Sequence, residues 1–197
     1  RIEFGDWVLT PGIRYEDIEQ GRIRYETRNG RTADPASRDA SNIRDTRSND
    51  TRVWLPGLGV TYAVNDSLHL LAGVHKGFTA PSNSPGVDEE TAINYELGFR
   101  HHGIGGLRAE AIVFFSDYDN LLGECTASSG SDCTVGDAFN GDAASVLGLE
   151  VSLASTLMST ARYRLPLTVS YTWIDAEFDS DIADTDFFGD VSRGDPI

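Results

Sequence analysis

Residues 92–118, AINYELGFRHHGIGGLRAEAIVFFSDY, decide the fold. From 92 to 101 the side chains alternate. Ile93, Tyr95, Leu97 and Phe99 share one face, and Asn94, Glu96, Gly98 and Arg100 the other, which is the period of a strand with one greasy side. After the turn at 102–106 the alternation resumes, with Leu107, Ala109, Ala111, Val113 and Phe115 opposite Arg108, Glu110, Ile112, Phe114 and Ser116. The spacing predicts an antiparallel hairpin closed by a glycine-rich turn. Strands of soluble proteins usually span about 5 or 6 residues. These run about 10 each, the length that crosses a bilayer when tilted, so the question is which solvent the greasy face meets.

Working outward, the same pattern recurs five more times. Strands are expected at 7–16, 52–64, 68–78, 144–157 and 165–173, about seven long strands in all. Between them the connections alternate in length. They are short at 65–67, 102–106 and 158–164, and long at 17–51, 79–90 and 119–143. All the short turns therefore fall at one end of the sheet, the asymmetry of transmembrane β-barrels, with tight turns on one side and extended loops on the other. A sandwich gives no reason for it, because both its ends face the same water. No Asp, Glu, Lys or Arg interrupts the middle of an apolar face. Glu96, Arg100, Arg108, Glu110 and Glu150 all lie on the opposite one, as a polar lumen requires. Trp7, Trp54, Tyr171 and Trp173 near strand ends fit either an interfacial aromatic girdle or plain β-propensity.

Composition narrows the function classes. No run of about 20 apolar residues is present, so helical spans are excluded. The net charge of -15 argues against a nucleic-acid partner, which needs a basic stripe. Of the 16 basic residues only Lys76 is lysine. That bias suits planar recognition of carboxylates and is equally the mark of a GC-rich genome. Seven strands cannot close a bacterial outer-membrane barrel, which takes an even number. Residues 1–197 are therefore expected to be an interior piece of a barrel domain, all-β, an antiparallel up-and-down meander.

Four ordered motifs carry a family resemblance: HKGFTAPS at 75–82, NYELGFR at 94–100, LRAEAIVFFSDYDNLLG at 107–123 and GLEVSL at 148–153. Together they resemble the barrel of TonB-dependent outer-membrane receptors. NLLGECTASSGSDC at 120–133, FNG at 139–141 and YTWIDAEF at 171–178 are most similar to the ferric dicitrate receptor branch. The resemblance implies a barrel of about 22 strands in the bacterial outer membrane, in contact with its lipid, importing a ferric chelate such as ferric citrate or another siderophore. Coupling to TonB–ExbB–ExbD would pass through a plug that residues 1–197 do not show. It implies no enzyme and no cofactor. The competing reading is a soluble or surface-exposed β-sheet ligand-binding module without transport, its greasy faces packed on one another.

Cys125 and Cys133 would then lie in an extracellular loop, where an oxidising compartment favours their pairing, with two free thiols as the other reading. A zinc site lacks a nearby third ligand. His101 and His102 read as a solvated turn rather than a metal site, and Asp175, Glu177, Asp179, Asp181, Asp184 and Asp186 as a solvated acidic loop, since an EF-hand glycine is absent. No catalytic constellation emerges around His69 or His75. In the long loop 17–51, Arg22, Arg24, Arg28, Arg31, Arg38, Arg44 and Arg47 would stand at the outer mouth, where guanidinium forks can hold the carboxylates of a ferric chelate, and Arg22, Arg24, Arg28 and Arg31 are the candidate ligand site. Glu19, Glu26, Asp34, Asp39, Asp45 and Asp50 share the loop, so internal pairing stands as the other reading.

Overall fold

The computed structural model of the chain describes residues 1–26, 38–103, 106–125, 135–141, 143–179 and 192–197. Its strands are β1 (Ile2–Phe4), β2 (Trp7–Tyr25), β3 (Ile43–Asn65), β4 (Leu68–Thr79), β5 (Glu90–His102), β6 (Arg108–Asp119), β7 (Leu122–Glu124), β8 (Ala138–Asn140), β9 (Ala144–Ser159) and β10 (Arg164–Phe178). β1 to β6, β9 and β10 form one antiparallel sheet in that order, while β7 and β8 make a separate small hairpin. Each long strand pairs with its neighbour in the sequence, β6 passing over the hairpin to β9. Among the described residues the sheet is open, with β1 and β10 at its edges.

The opening hairpin lies where alternation puts it. β5 and β6 pair from Thr91↔Asp119 to His102↔Arg108 without a slip. Register carries the two faces across the whole sheet. Ala72, Leu97, Val113 and Leu149 form one cross-strand row, and Gly73, Glu96, Phe114 and Gly148 the next. A one-residue slip would exchange the two sets, so the unbroken ladder is what keeps one face apolar. That face is bare in this chain: Leu97 is 66% exposed and Ile13 71%. Asn65 shapes one short turn, its side chain accepting from Ser67 and Leu68 N–H at 2.9 and 3.0 Å. Thr160 does the same for another through Tyr163 N–H at 2.9 Å.

Proline and glycine mark where the ladder changes. Pro56 stands one residue beyond Gly57↔His75, the last pair between β3 and β4, where its missing N–H costs no ladder bond. Pro166 sits at the slip between β9 and β10. A side chain on Gly98 would drive into the Ala111 carbonyl, and one on Gly148 into the Phe114 ring.

Three expectations are corrected. The stretch 17–51 is not one long loop: β2 runs on to Tyr25 and β3 begins at Ile43, and a 3-10 turn at Ala40–Asn42 lies before it. The apolar period disappears there because neither face of the extended pair carries a run of apolar side chains, not because pairing stops. β1 precedes the first of the expected strands, and the connection 120–143 contains the β7–β8 hairpin. β10 also continues through Asp175 and Glu177, so the acidic tail starts later than expected; Asp181, Asp184 and Asp186 lie outside the described residues.

Candidate functional site at the long-loop end

β2 and β3 keep one register from Trp7↔Tyr62 to Arg24↔Asp45, with a slip only at Tyr25. On the apolar face this pair carries aromatic rings at both ends of its greasy stretch. Trp7 lies against Tyr62 with centroids 4.6 Å apart, and Tyr15 against Trp54 at 4.7 Å. Beyond the second pair the same face turns polar, with Arg52 beside Asp17 at 3.4 Å. Tyr171 and Trp173, expected at a strand end, stand well inside β10, opposite Val151 and Leu149. The strands thus extend past the apolar band as a two-stranded arm.

The arm's other row continues the polar face of the sheet: Ile18↔Thr51, Gln20↔Asn49, Arg22↔Arg47 and Arg24↔Asp45. Two loops close over its base. Asn49 Nδ2 donates to the carbonyls of Ser84 and Val87 at 3.1 and 2.8 Å, pinning the 80–89 loop to β3. That loop is tied in turn to the β7–β8 hairpin. Ala138 N–H donates to Ser84 Oγ at 2.9 Å, and Asn140 exchanges bonds with the Asp88 backbone at 2.8 and 2.9 Å. Leu122 N–H donates to Glu90 at 2.9 Å. Thr51, Val53, Pro81, Ser84, Ala92, Ser116, Cys125 and Ala144 are the buried side chains that result. The packed interior of the described chain is therefore here, at the long-loop end on the polar face, and not on the apolar one.

Four charges meet above this layer. Arg22 and Arg47 are directly opposite on neighbouring strands, an arrangement that repels unless anions intervene. Asp45, on the same row, accepts from Arg47 Nε at 2.9 Å and stands 3.9 Å from Arg22 Nη2. Arg47 Nη1 donates to Asp137, which arrives from the connection preceding β8. Asp137, chiefly through that hydrogen bond, holds the Arg47 guanidinium more firmly protonated than usual; burial opposes this and Asp45 adds to it. Arg22 is left short: its Nε and Nη2 are buried and have no hydrogen-bond acceptor. A buried donor without a partner costs roughly 1–3 kcal/mol, so the cluster holds more donors than acceptors.

Of the arginines singled out in the sequence, Arg22 and Arg24 stand on β2 rather than in a loop, both on the polar row. Arg28 and Arg31 lie outside the described residues. Cys125 is buried and disulfide-bonded; Cys133 lies outside the described residues. Sequence reasoning grouped Asp45 with the loop's other acids and Arg47 with the mouth's arginines, and it missed Asp137. The pairing of Asp45 with Arg47 could have been found from the i, i+2 spacing of a strand face. Asp137, 90 positions from Arg47, leaves no local signal. Toward the short-turn end the polar face carries Arg100 paired with Glu110 across β5 and β6. Among the described residues no group of three or more His, Cys, Asp and Glu stands together as a metal site.

The family described as TonB dependent receptor-like, beta-barrel matches residues 1–193. Among solved structures the chain is similar to the ferric citrate transporter FecA in its unliganded form, with 25% identity, 89% of this chain and 24% of that one covered, and a TM-score of 0.60. It is also similar to the ferric-catecholate import receptor Fiu of Escherichia coli K12, with 17% identity over 94% of this chain and 28% of that one, at a TM-score of 0.61. The FrpB iron transporter of Neisseria meningitidis aligns at 16% identity over 89% of this chain and 24% of that one, also at 0.61. The last two likenesses bear on the fold alone. The chain spans about a quarter of the length of each of these proteins.

Proposed function

The chain belongs to the TonB dependent receptor-like β-barrel family, and from that premise we propose that residues 1–197 form part of the wall of an outer-membrane receptor that imports a ferric chelate. The barrel in this reading has about 22 strands, and its apolar face meets lipid. Its polar face lines a lumen filled by a plug outside residues 1–197, through which TonB–ExbB–ExbD would act. The carrying observation is the arm of β2 and β3, which lifts a row of arginines beyond the apolar band on the lumen side.

Arginine chemistry suggests the ligand class. Guanidinium forks match carboxylates in plane and in pairs, and the Arg22–Arg47 cluster is short of acceptors. Ferric citrate is the finer reading, supported by the 25% identity to the ferric citrate transporter FecA. The ligand set proposed is Arg22, Arg24, Arg28 and Arg31. Pairing of Cys125 with Cys133 would brace the loop beside them. It would stabilise that loop by roughly 2–3 kcal/mol in the chain-entropy picture.

The test is uptake of radiolabelled ferric citrate by cells bearing the full-length receptor, with surface receptor quantified in parallel. Replacing the four arginines with Gln should lower uptake by at least tenfold, since each charge-assisted contact contributes about 1.5–3 kcal/mol, while surface levels stay constant. Undiminished binding and transport would move the ligand to other loops or to the plug.

A further inference from the structure

The charges above the buried layer differ in how they are held. Asp45 is a resident of the sheet, on the same strand and row as Arg47 and two residues from it. Asp137 is a visitor. It arrives from a connection outside the main sheet, tied to the 80–89 loop by the Ser84–Ala138 and Asp88–Asn140 bonds and to β5 by the Leu122–Glu90 bond. It reaches Arg47 by its carboxylate alone, with a side chain 25% exposed. Its backbone carbonyl accepts from Cys125 N–H at 2.8 Å, and Gly136 N–H donates to the Cys125 carbonyl at 2.7 Å, so the residue rides on the cysteine-bearing end of the hairpin.

Resting on the anionic-ligand reading above, we propose that Asp137 is a built-in stand-in for a ligand carboxylate: it occupies the Arg47 guanidinium in the unliganded receptor and is displaced when an anionic chelate binds. Three observations converge on this. Asp137 is a carboxylate, the group the arginines are suited to hold. Arg22, directly opposite, keeps two buried donor nitrogens, Nε and Nη2, without acceptors, so an incoming polycarboxylate has unfilled donors on one arginine and a replaceable anion on the other. And the replaceable anion is joined to the β7–β8 hairpin, so its release frees the 136–138 end of that hairpin from Arg47 at the point where the ligand has arrived. Asp137 thereby sets a charge threshold for entry. A ligand must outcompete an internal carboxylate, which a neutral chelate cannot do.

The experiment uses the full-length receptor in outer-membrane vesicles. Binding of iron(III) citrate and of a neutral iron(III) trihydroxamate is measured for wild type, Asp137→Asn, Arg47→Gln and Asn140→Ala. Asp137→Asn should tighten iron(III) citrate binding about tenfold, the equivalent of about 1.4 kcal/mol, and leave the neutral chelate unchanged. Arg47→Gln should weaken iron(III) citrate binding. Asn140→Ala loosens the same hairpin without freeing Arg47 and should leave binding as in wild type. Unchanged or weaker binding by Asp137→Asn, with Arg47→Gln still defective, overturns the stand-in role and leaves the anionic-ligand reading intact. Equal tightening by Asn140→Ala also overturns it, since slackness alone would then suffice. Failure of every form to bind iron(III) citrate overturns both. Hydrogen exchange on the wild type needs no variant: iron(III) citrate should speed exchange at the Gly136 and Ala138 amides, and slower or unchanged exchange there refutes the displacement.

Discussion

Leu97→Arg separates a lipid-facing sheet from a watery one by a single substitution. Leu97 is 66% exposed and lies between Ala72 and Val113 on the apolar row. In water, a charge at so exposed a site shifts stability by no more than about 0.5 kcal/mol. The row on β5 runs from Ile93 to His101, about 27 Å along the strand at about 3.4 Å per residue. At a tilt of about 40° that is about 21 Å along the membrane normal, within an apolar band about 25 Å tall. Leu97 is at its middle, where an arginine costs about 2–4 kcal/mol, a factor of roughly 30 to 900 in the folding equilibrium. Ile13→Arg, one row from the Tyr15–Trp54 rings, is nearer the interface and should cost about 0–1 kcal/mol. The assay is urea titration of the full-length receptor folded into lipid vesicles, following the gel mobility of the folded form. Equal, negligible shifts for both substitutions would refute the placement of this face in hydrocarbon.

Three further outcomes follow from particular contacts. Gly98→Ala pushes a methyl at the Ala111 carbonyl, which can move only with the sheet, whereas Gly148→Ala meets a Phe114 ring that can swing away. The first should therefore destabilise by about 1–3 kcal/mol and the second by less in the same titration, and the reverse order would show that the ladder yields more easily than the ring. Asp39 accepts from Ser41 N–H at 3.0 Å and from its hydroxyl at 3.1 Å, bonds that lower its carboxyl below 3.8. Because the folded value is depressed, this stabilisation is present above the unfolded value and fades as pH falls through the folded one; NMR titration should place the Asp39 midpoint below that of an unbonded aspartate, and an undepressed midpoint would refute the Ser41 bonds. Alkylation of the unreduced receptor followed by mass spectrometry should label neither Cys125 nor Cys133, and two labelled thiols would exclude their pairing.

What was legible in the sequence was what one-sided surroundings write into it. Where one face is apolar and the other polar, as from Ile93 to Phe99, the period of two is visible and the strand, its face and its partner follow. At 17–25 and 43–51 both sides are polar, so alternation carries no information, and the pairing of β2 with β3 is set instead by the continuation of a register already fixed at Trp7↔Tyr62. The arginines were found by type but misplaced by element for that reason. Asp137 was invisible for a different one: its role exists only because two loops tied through Ser84 and Asn140 bring it to Arg47, and nothing adjacent in the chain records that meeting.

The unbroken register of the arm also constrains how its length can vary. Arg22 faces the same way as Thr10 because the positions between them preserve the two-residue alternation. Adding one residue to β2 between Tyr15 and Glu19 would rotate everything above it by half a turn of the pleat, sending Arg22 and Arg24 to the outer surface and bringing Glu19 and Ile23 inward. Adding two would raise the arginines by about 7 Å and leave their direction unchanged. Height above the apolar band can thus drift in even steps while orientation is preserved, and among arms of different length it is parity, rather than length, that selection should guard.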